Sequence, residues 1–156
     1  MPPSPTPAPS VTPRSAASPT PAEMTVQIYL IAIGDNGKAG PQIGCGDSAI
    51  PVQVRIRYTL GVLRGSLEKL LSVKERDYGA SGLYNALYQS DLHVASVAID
   101  AGKATIRLTG DLTMGGECDS PRVEAQIERT ALQFSTVQDV AVFLNDRPLA
   151  DVLSLK

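Results

Sequence analysis

Two cysteines and four acidic side chains are the residues whose types and spacing could do chemistry in this sequence. Cys45 stands in Gly-Cys-Gly-Asp and Cys118 in Gly-Gly-Glu-Cys-Asp, so both lie in polar, glycine-rich segments. A reduced structural cysteine is usually buried among apolar neighbours. Two cysteines in two such loops are expected to form one disulfide; the alternative is two free thiols. Closing a loop of roughly 74 residues would contribute about 4 kcal/mol in the chain-entropy treatment. Asp47, Asp111, Glu117 and Asp119 lie in loops that this bond would draw together. Carboxylates gathered in this way could bind a cation or a basic group, or supply a pair for acid/base work. The plainer reading is loop and helix chemistry, since acids are favoured at the positive end of a helix dipole. Calcium needs six or more oxygens and the EF-hand spacing is absent. A closed zinc site needs four ligands. No metal, cofactor or catalytic residue is therefore expected.

The other candidates are weaker. His93 has no nucleophile or orienting carboxylate at a recognisable spacing and reads as a surface or strand-edge residue. The glycine-rich loop Gly34–Gly46 lacks both the P-loop spacing with its lysine and the dinucleotide fingerprint. Arg55, Arg57 and Arg64 could face a partner or line a solvated edge. Tyr84 and Tyr88 are four apart, so a helical turn would place them on one face, with Tyr78 nearby. They could stack on a sugar or peptide, although completing the core is the favoured reading. The expected binding surface is Asp47, Glu117, Asp119, Tyr84 and Tyr88.

These residues must be positioned by a small set of elements. Val26 to Ile33 reads as a strand covered on both sides. Ile50 to Arg57 alternates apolar and polar, and Pro51 marks it as an edge because proline cannot donate to a ladder. Leu60, Leu63, Leu67, Leu70 and Leu71 recur at helical spacing after a possible Thr59 cap; Gly61 and Gly65 weaken that helix by about 1 kcal/mol each, the alternative being that they allow close backbone packing. Lys74 to Gln89 is ambiguous and reads as a short helical turn or loop that buries Leu83 and Leu87. Leu92–Ile99 and Lys103–Thr109 flank Asp100-Ala101-Gly102 and form a hairpin, with Val97 and Ile99 on the same side as Ile106 and Leu108. Ser120-Pro121 opens a second helix, whose stripe is Val123, Ile127, Thr130, Ala131 and Phe134. Asp139 to Asn145 is a last strand, and Leu149, Val152 and Leu153 pin the C-terminus. The order predicts an α+β fold with two helices over a small mixed sheet.

Composition narrows the function classes. Residues 1–22 hold eight of the twelve prolines and one charged side chain, Arg14. They read as a disordered Pro/Ser/Thr/Ala-rich linker, partly polyproline II, ahead of a domain over 23–156. The net charge is −2, which argues against a sequence-independent grip on nucleic acid. No apolar run approaches the roughly 18 residues of a membrane span. No signal-peptide pattern opens the sequence. The expectation is an exported domain whose signal lies upstream, the alternative being an intracellular protein with a flexible arm. A disulfide would favour export.

Four stretches carry a family resemblance: GCGDSAIPV (Gly44–Val52), GLYNALYQSDL (Gly82–Leu92), VASVAIDAGKATIRLTG (Val94–Gly110) and GECDSPRVEAQIERTALQFSTVQDVAVFLN (Gly116–Asn145). With the leucine helix between them, the run from Tyr29 to Asp151 resembles the GerMN domain, a module named after a bacterial sporulation and spore-germination protein. The resemblance implies a fold similar to the ring-building motif, two helices on a three-stranded sheet. It implies a cell-envelope setting, often on lipoproteins, and no catalytic motif. This chain departs from the germination protein in having one copy of the domain, and in having Asn145-Asp146 where an Asn-Gly turn is common. The function expected from the whole reading is a non-enzymatic extracytoplasmic module, lipid-anchored upstream of this sequence. Its partner would be an envelope protein or peptidoglycan, with self-association possible and no nucleic acid. The alternatives are an envelope hydrolase using the loop carboxylates, or a soluble small-ligand-binding domain.

Overall fold

The computed structural model describes residues 3–4 and 22–154. The linker reading of residues 1–22 therefore lies almost wholly outside the described residues. The elements run β1 (Glu23–Ala32), a single 3-10 turn (Gly44–Gly46), β2 (Ser48–Arg57), α1 (Val62–Ser72), β3 (Asp91–Asp100), β4 (Lys103–Asp111), α2 (Asp119–Leu132), β5 (Asp139–Leu144), β6 (Arg147–Pro148) and α3 (Leu149–Ser154). The α+β class is as expected. The unit α1-β3-β4-α2-β5 places two helices on three strands in the order β3-β4-β5, antiparallel then parallel.

The strands divide into two sheets, because β1 and β2 pair only with each other. The reason lies at the outer edge of β1. Gln133 on the turn after α2 accepts the Gln27 N–H at 2.8 Å and donates to the Gln27 carbonyl at 2.6 Å. Thr130 Oγ1 accepts the Tyr29 N–H at 3.2 Å. The backbone of Tyr84 then exchanges two bonds with Ile31, at 2.9 and 2.8 Å. Side chains and one residue of loop thus take the place of a further strand, and the edge is closed.

Both helices pack on each other and on both sheets. Ile28, Leu30, Leu67, Leu70, Leu87, Ile106, Leu108 and Ile127 are fully buried between them. Each such side chain stabilises the fold by about 1.5–3 kcal/mol. Gly65 lets α1 approach β2, since a Cβ there would stand 3.0 Å from Ile56 Cδ1. The hairpin parity is restored by a bulge. Register shifts between Val94 and Ser96, so Leu92, Val94, Val97 and Ile99 share a face despite the broken alternation. Val97 and Ile99 share the side of Ile106 and Leu108 as predicted, with Val97 opposite Ile106, but Ile99, at the hairpin end, remains exposed.

Several local expectations shift. α1 begins at Val62 rather than near Thr59, which leaves Leu60 90% exposed and outside the stripe. α2 begins at Asp119, with Cys118 rather than Ser120 at the cap. Pro121 still falls among the first four positions, whose N–H groups have no helical partner. Of the two alternatives for Lys74–Gln89, a helical turn or a loop, the segment takes the loop. Buried side chains organise it instead: Asn85 donates to the carbonyls of Val73 and Glu75 and accepts from Leu87 N–H and Gln126 Nε2, while Gln126 Oε1 accepts the Ala86 N–H. Leu87 is buried as expected and Leu83 only partly. Asn145 and Asp146 both take positive φ, as a tight hairpin turn onto β6 requires.

Candidate functional site

Three separated segments meet beside the start of α2. Asp47 follows the 3-10 turn, Asp119 is the first residue of α2, and Tyr84 is fixed by its pairing with Ile31. The disulfide Cys45–Cys118 ties the first two segments, with a Cα–Cα distance of 5.9 Å. Cys45 sits at a φ of 64°, a left-handed conformation that the cross-link holds in place.

The two carboxylates do meet, and a residue absent from the expected site lies between them. Arg122 Nε donates to Asp47 Oδ2 at 2.7 Å, and Nη1 donates to Asp119 Oδ1 at 3.1 Å. Asp119 also accepts the Tyr84 hydroxyl at 2.9 Å and the Gly115 N–H at 2.7 Å. The second oxygen of Asp47 accepts the Gly34 N–H at 2.9 Å. Asp47 and Asp119 are 1% and 2% exposed, so these are buried charges whose lone pairs are taken up by protein donors. Arg122 lies over the Tyr84 ring at 5.2 Å, and Arg76 also contacts that ring, at 5.6 Å.

The electrostatics follow from this packing. Burial pushes the Tyr84 hydroxyl up to about 12, and its hydrogen bond to the Asp119 carboxylate adds to the shift. Burial works against the Arg122 guanidinium, but Asp47 and Asp119 more than offset it and hold it above its ordinary value.

The rest of the expected surface is dispersed. Glu117 is exposed and stands outside the network, as does Asp111, which pairs through its backbone with Asp91. Tyr84 is 7% exposed and its ring is in contact with two guanidinium groups, so it offers no open platform for stacking. Tyr88 packs edge-on against it at 6.5 Å, and both are core or core-flanking residues, as favoured. They meet without a helix. His93 is exposed, 3.1 Å from Asp91. In the Gly34–Gly46 loop, Asp47, Ser48 and Asp35 accept the N–H groups of Gly34, Gly37 and Ala39, so these amides are engaged. Among the described residues, no three His, Cys, Asp or Glu side chains converge on a metal-sized point. A cleft of about 300 Å³ opens above the network, floored by Tyr84, Tyr88, Asp119 and Arg122. Every polar side chain on that floor that is buried is already hydrogen-bonded. Arg122 carried one signal in the sequence, its position three residues after Asp119 at a helix start.

No family model matches the sequence, and no curated protein matches it. The fold does have solved counterparts. It superposes on the tandem GerMN domains of the sporulation protein GerM from Bacillus subtilis with a TM-score of 0.58, covering 85% of this chain and 43% of that one at 17% identity. The first GerMN domain of the same protein matches with a TM-score of 0.55, covering 80% of this chain and 85% of that one, again at 17% identity. This chain therefore spans less than half of the tandem protein. Its folded part is a GerMN-like domain in architecture.

Proposed function

We propose that this domain is a non-enzymatic, extracytoplasmic module of the cell envelope, which acts by holding a protein partner or a wall component against a preformed surface. The observation that carries this reading is the state of the carboxylate pair. A glycoside hydrolase that works through a carboxyl pair needs one group able to donate a proton and another facing substrate or water. Here Asp47 and Asp119 are buried, share one arginine and accept backbone N–H groups, which is the chemistry of a structural staple. The disulfide supports an oxidising compartment. The GerMN-type fold supports the envelope setting by analogy of architecture, and lipid anchoring upstream is part of the same proposal.

Two measurements test it. Alkylation of thiols in intact cells, before lysis, should leave Cys45 and Cys118 unmodified; labelling of both would refute the extracytoplasmic placement. Incubation with insoluble peptidoglycan should release no soluble fragments; release that is lost in Glu117→Gln with the fold intact would establish an enzyme instead.

A further inference from the structure

Among the described residues the outer side of β2 is an unbroken open ladder edge, and the hydrogen-bond register says which groups line it. In β1 the N–H groups of Gln27, Tyr29 and Ile31 point away from β2, into Gln133, Thr130 and Tyr84. The even-numbered residues of β1 therefore point toward β2. Their partners Ile50, Val52, Val54 and Ile56 point back. That leaves the odd-numbered residues of β2 pointing outward. At one end Ala49 N–H is taken by the Pro41 carbonyl at 2.9 Å. Pro51 comes next, and its missing donor falls on the outer side, where it costs the β1–β2 ladder nothing. Gln53, Arg55 and Arg57 follow, and among the described residues no acceptor meets their N–H groups. The other free edge, β3, is broken by the bulge after Val94 and crossed by Arg64, whose Nη2 donates to the Val94 carbonyl at 3.0 Å.

We propose that the outer edge of β2 over Gln53–Arg57 accepts an extended acidic segment of a partner protein as an added antiparallel strand. This deepens the reading of the domain as a binding module and rests on it. Residues opposite each other in a hydrogen-bonded pair share a face. The added strand would set every second side chain against Gln53, Arg55 and Arg57, which are exposed. Arg57 has no ion-pair partner among the described residues, and Arg55 has only a solvent-exposed contact with Glu23 at 3.8 Å. Carboxylates belong at those positions. The alternate side chains would lie beside Val52 and Ile56, which are only partly buried and flank the core. An acidic–apolar alternation is the sequence this edge fits. Just past the edge, Tyr58 and Leu60 are 56% and 90% exposed and extend the contact with apolar area.

Other occupants fit less well. A second copy pairing in full register would set Arg55 against Arg55, and sliding the pair to put Pro51 opposite Arg55 would leave the Arg55 carbonyl without a donor. The chain's own first 21 residues contain eight prolines and no acidic side chain.

The test uses the full chain and the peptide acetyl-Thr-Glu-Val-Glu-Val-Glu-Thr-amide, followed by backbone amide shifts and by anisotropy of a labelled copy. Saturable binding is expected, with shift changes centred on Gln53–Arg57 and an affinity that falls with salt. Replacing each Glu by Lys should weaken binding at least tenfold, and Arg55→Glu with Arg57→Glu should reverse that preference. A peptide N-methylated at its glutamates, probed against the unaltered protein, should also bind at least tenfold more weakly. Absence of saturation at millimolar peptide, equal binding of the N-methylated peptide, or shifts centred elsewhere would overturn the proposal. So would sedimentation showing a dimer that Gln53→Pro dissociates. None of these results bears on the thiol or peptidoglycan measurements, so the edge and the wider reading fail separately.

Discussion

Replacing Arg122 by methionine should be among the most destabilising single changes available in this fold. The side chain joins two carboxylates that are nearly sealed from water, Asp47 at 2.7 Å and Asp119 at 3.1 Å. At an effective dielectric near 20, each pair is worth roughly 5–6 kcal/mol in Coulomb attraction, most of which offsets the loss of hydration. Methionine keeps much of the packing but leaves two buried negative charges facing each other. The expected loss is about 3–5 kcal/mol. That is a large share of the 5–15 kcal/mol typical of a domain. The triple change Asp47→Asn, Arg122→Met, Asp119→Asn should recover most of it. Each asparagine still offers a carbonyl oxygen to Gly34 N–H, or to Gly115 N–H and the Tyr84 hydroxyl, and no charge is left buried. Urea unfolding followed by circular dichroism, with the disulfide intact, gives both values. If Arg122→Met lies within 1 kcal/mol of the parent, or the triple variant is no better than the single one, the network does not hold the site as argued.

Three further outcomes are expected. Cys45→Ser with Cys118→Ser should lower stability by about 4 kcal/mol, since the bond spans a sequence separation of 73, and a thiol assay on denatured, unreduced parent should read near zero. Gln133→Ala strips the Gln27 N–H and carbonyl of their cap, and should cost about 1–2 kcal/mol in the same unfolding assay while raising aggregation through the exposed β1 edge. Burial, reinforced by the neighbouring Glu124 carboxylate, pushes Glu128 up to about 7 from its ordinary 4.5. The raised value means that its contribution to stability is complete below pH 4.5 and is lost as pH rises through about 7. Because the group is only partly buried, solvent screening cuts that loss to ~1 kcal/mol. Thermal melts should show Glu128→Gln more stable than the parent at pH 8 and indistinguishable from it at pH 4.

Periodicity carried most of the architecture. The leucine stripe of α1, the alternation of β2 and the turn signals of the β3–β4 hairpin each state a local preference that the packing then satisfies. The failures share a physical cause, which is polar contact at long range. Nothing local in Lys74–Gln89 says that Asn85 will be wrapped by the carbonyls of Val73 and Glu75 and met by Gln126 from another helix. Nothing in Val26–Ile33 says that its open side will be finished by Gln133 and Thr130, more than a hundred positions away. The site shows the same split. Glycine-rich, polar surroundings were enough to pair Cys45 with Cys118, and that bond correctly brought Asp47 to Asp119. The same reading also gathers Glu117 and Asp111, which the folded chain leaves on the surface. Tyr84 and Tyr88 meet through loop packing, the second of the two conformations that the segment's pattern allows.

The sulfur bridge also sets a mechanical limit. Were the domain pulled by its two ends, the chain between Cys45 and Cys118 could not be drawn out while the bond is intact. At about 3.4 Å per residue, the 73 residues of separation withhold roughly 25 nm of extension. Load would pass from one terminus to the other through the bridge itself. Much of the buried core lies inside that loop: α1, the β3–β4 hairpin and the tyrosine segment. A module strained between two anchored structures could thus yield at its outer strands and recoil, with the looped-off region never stretched.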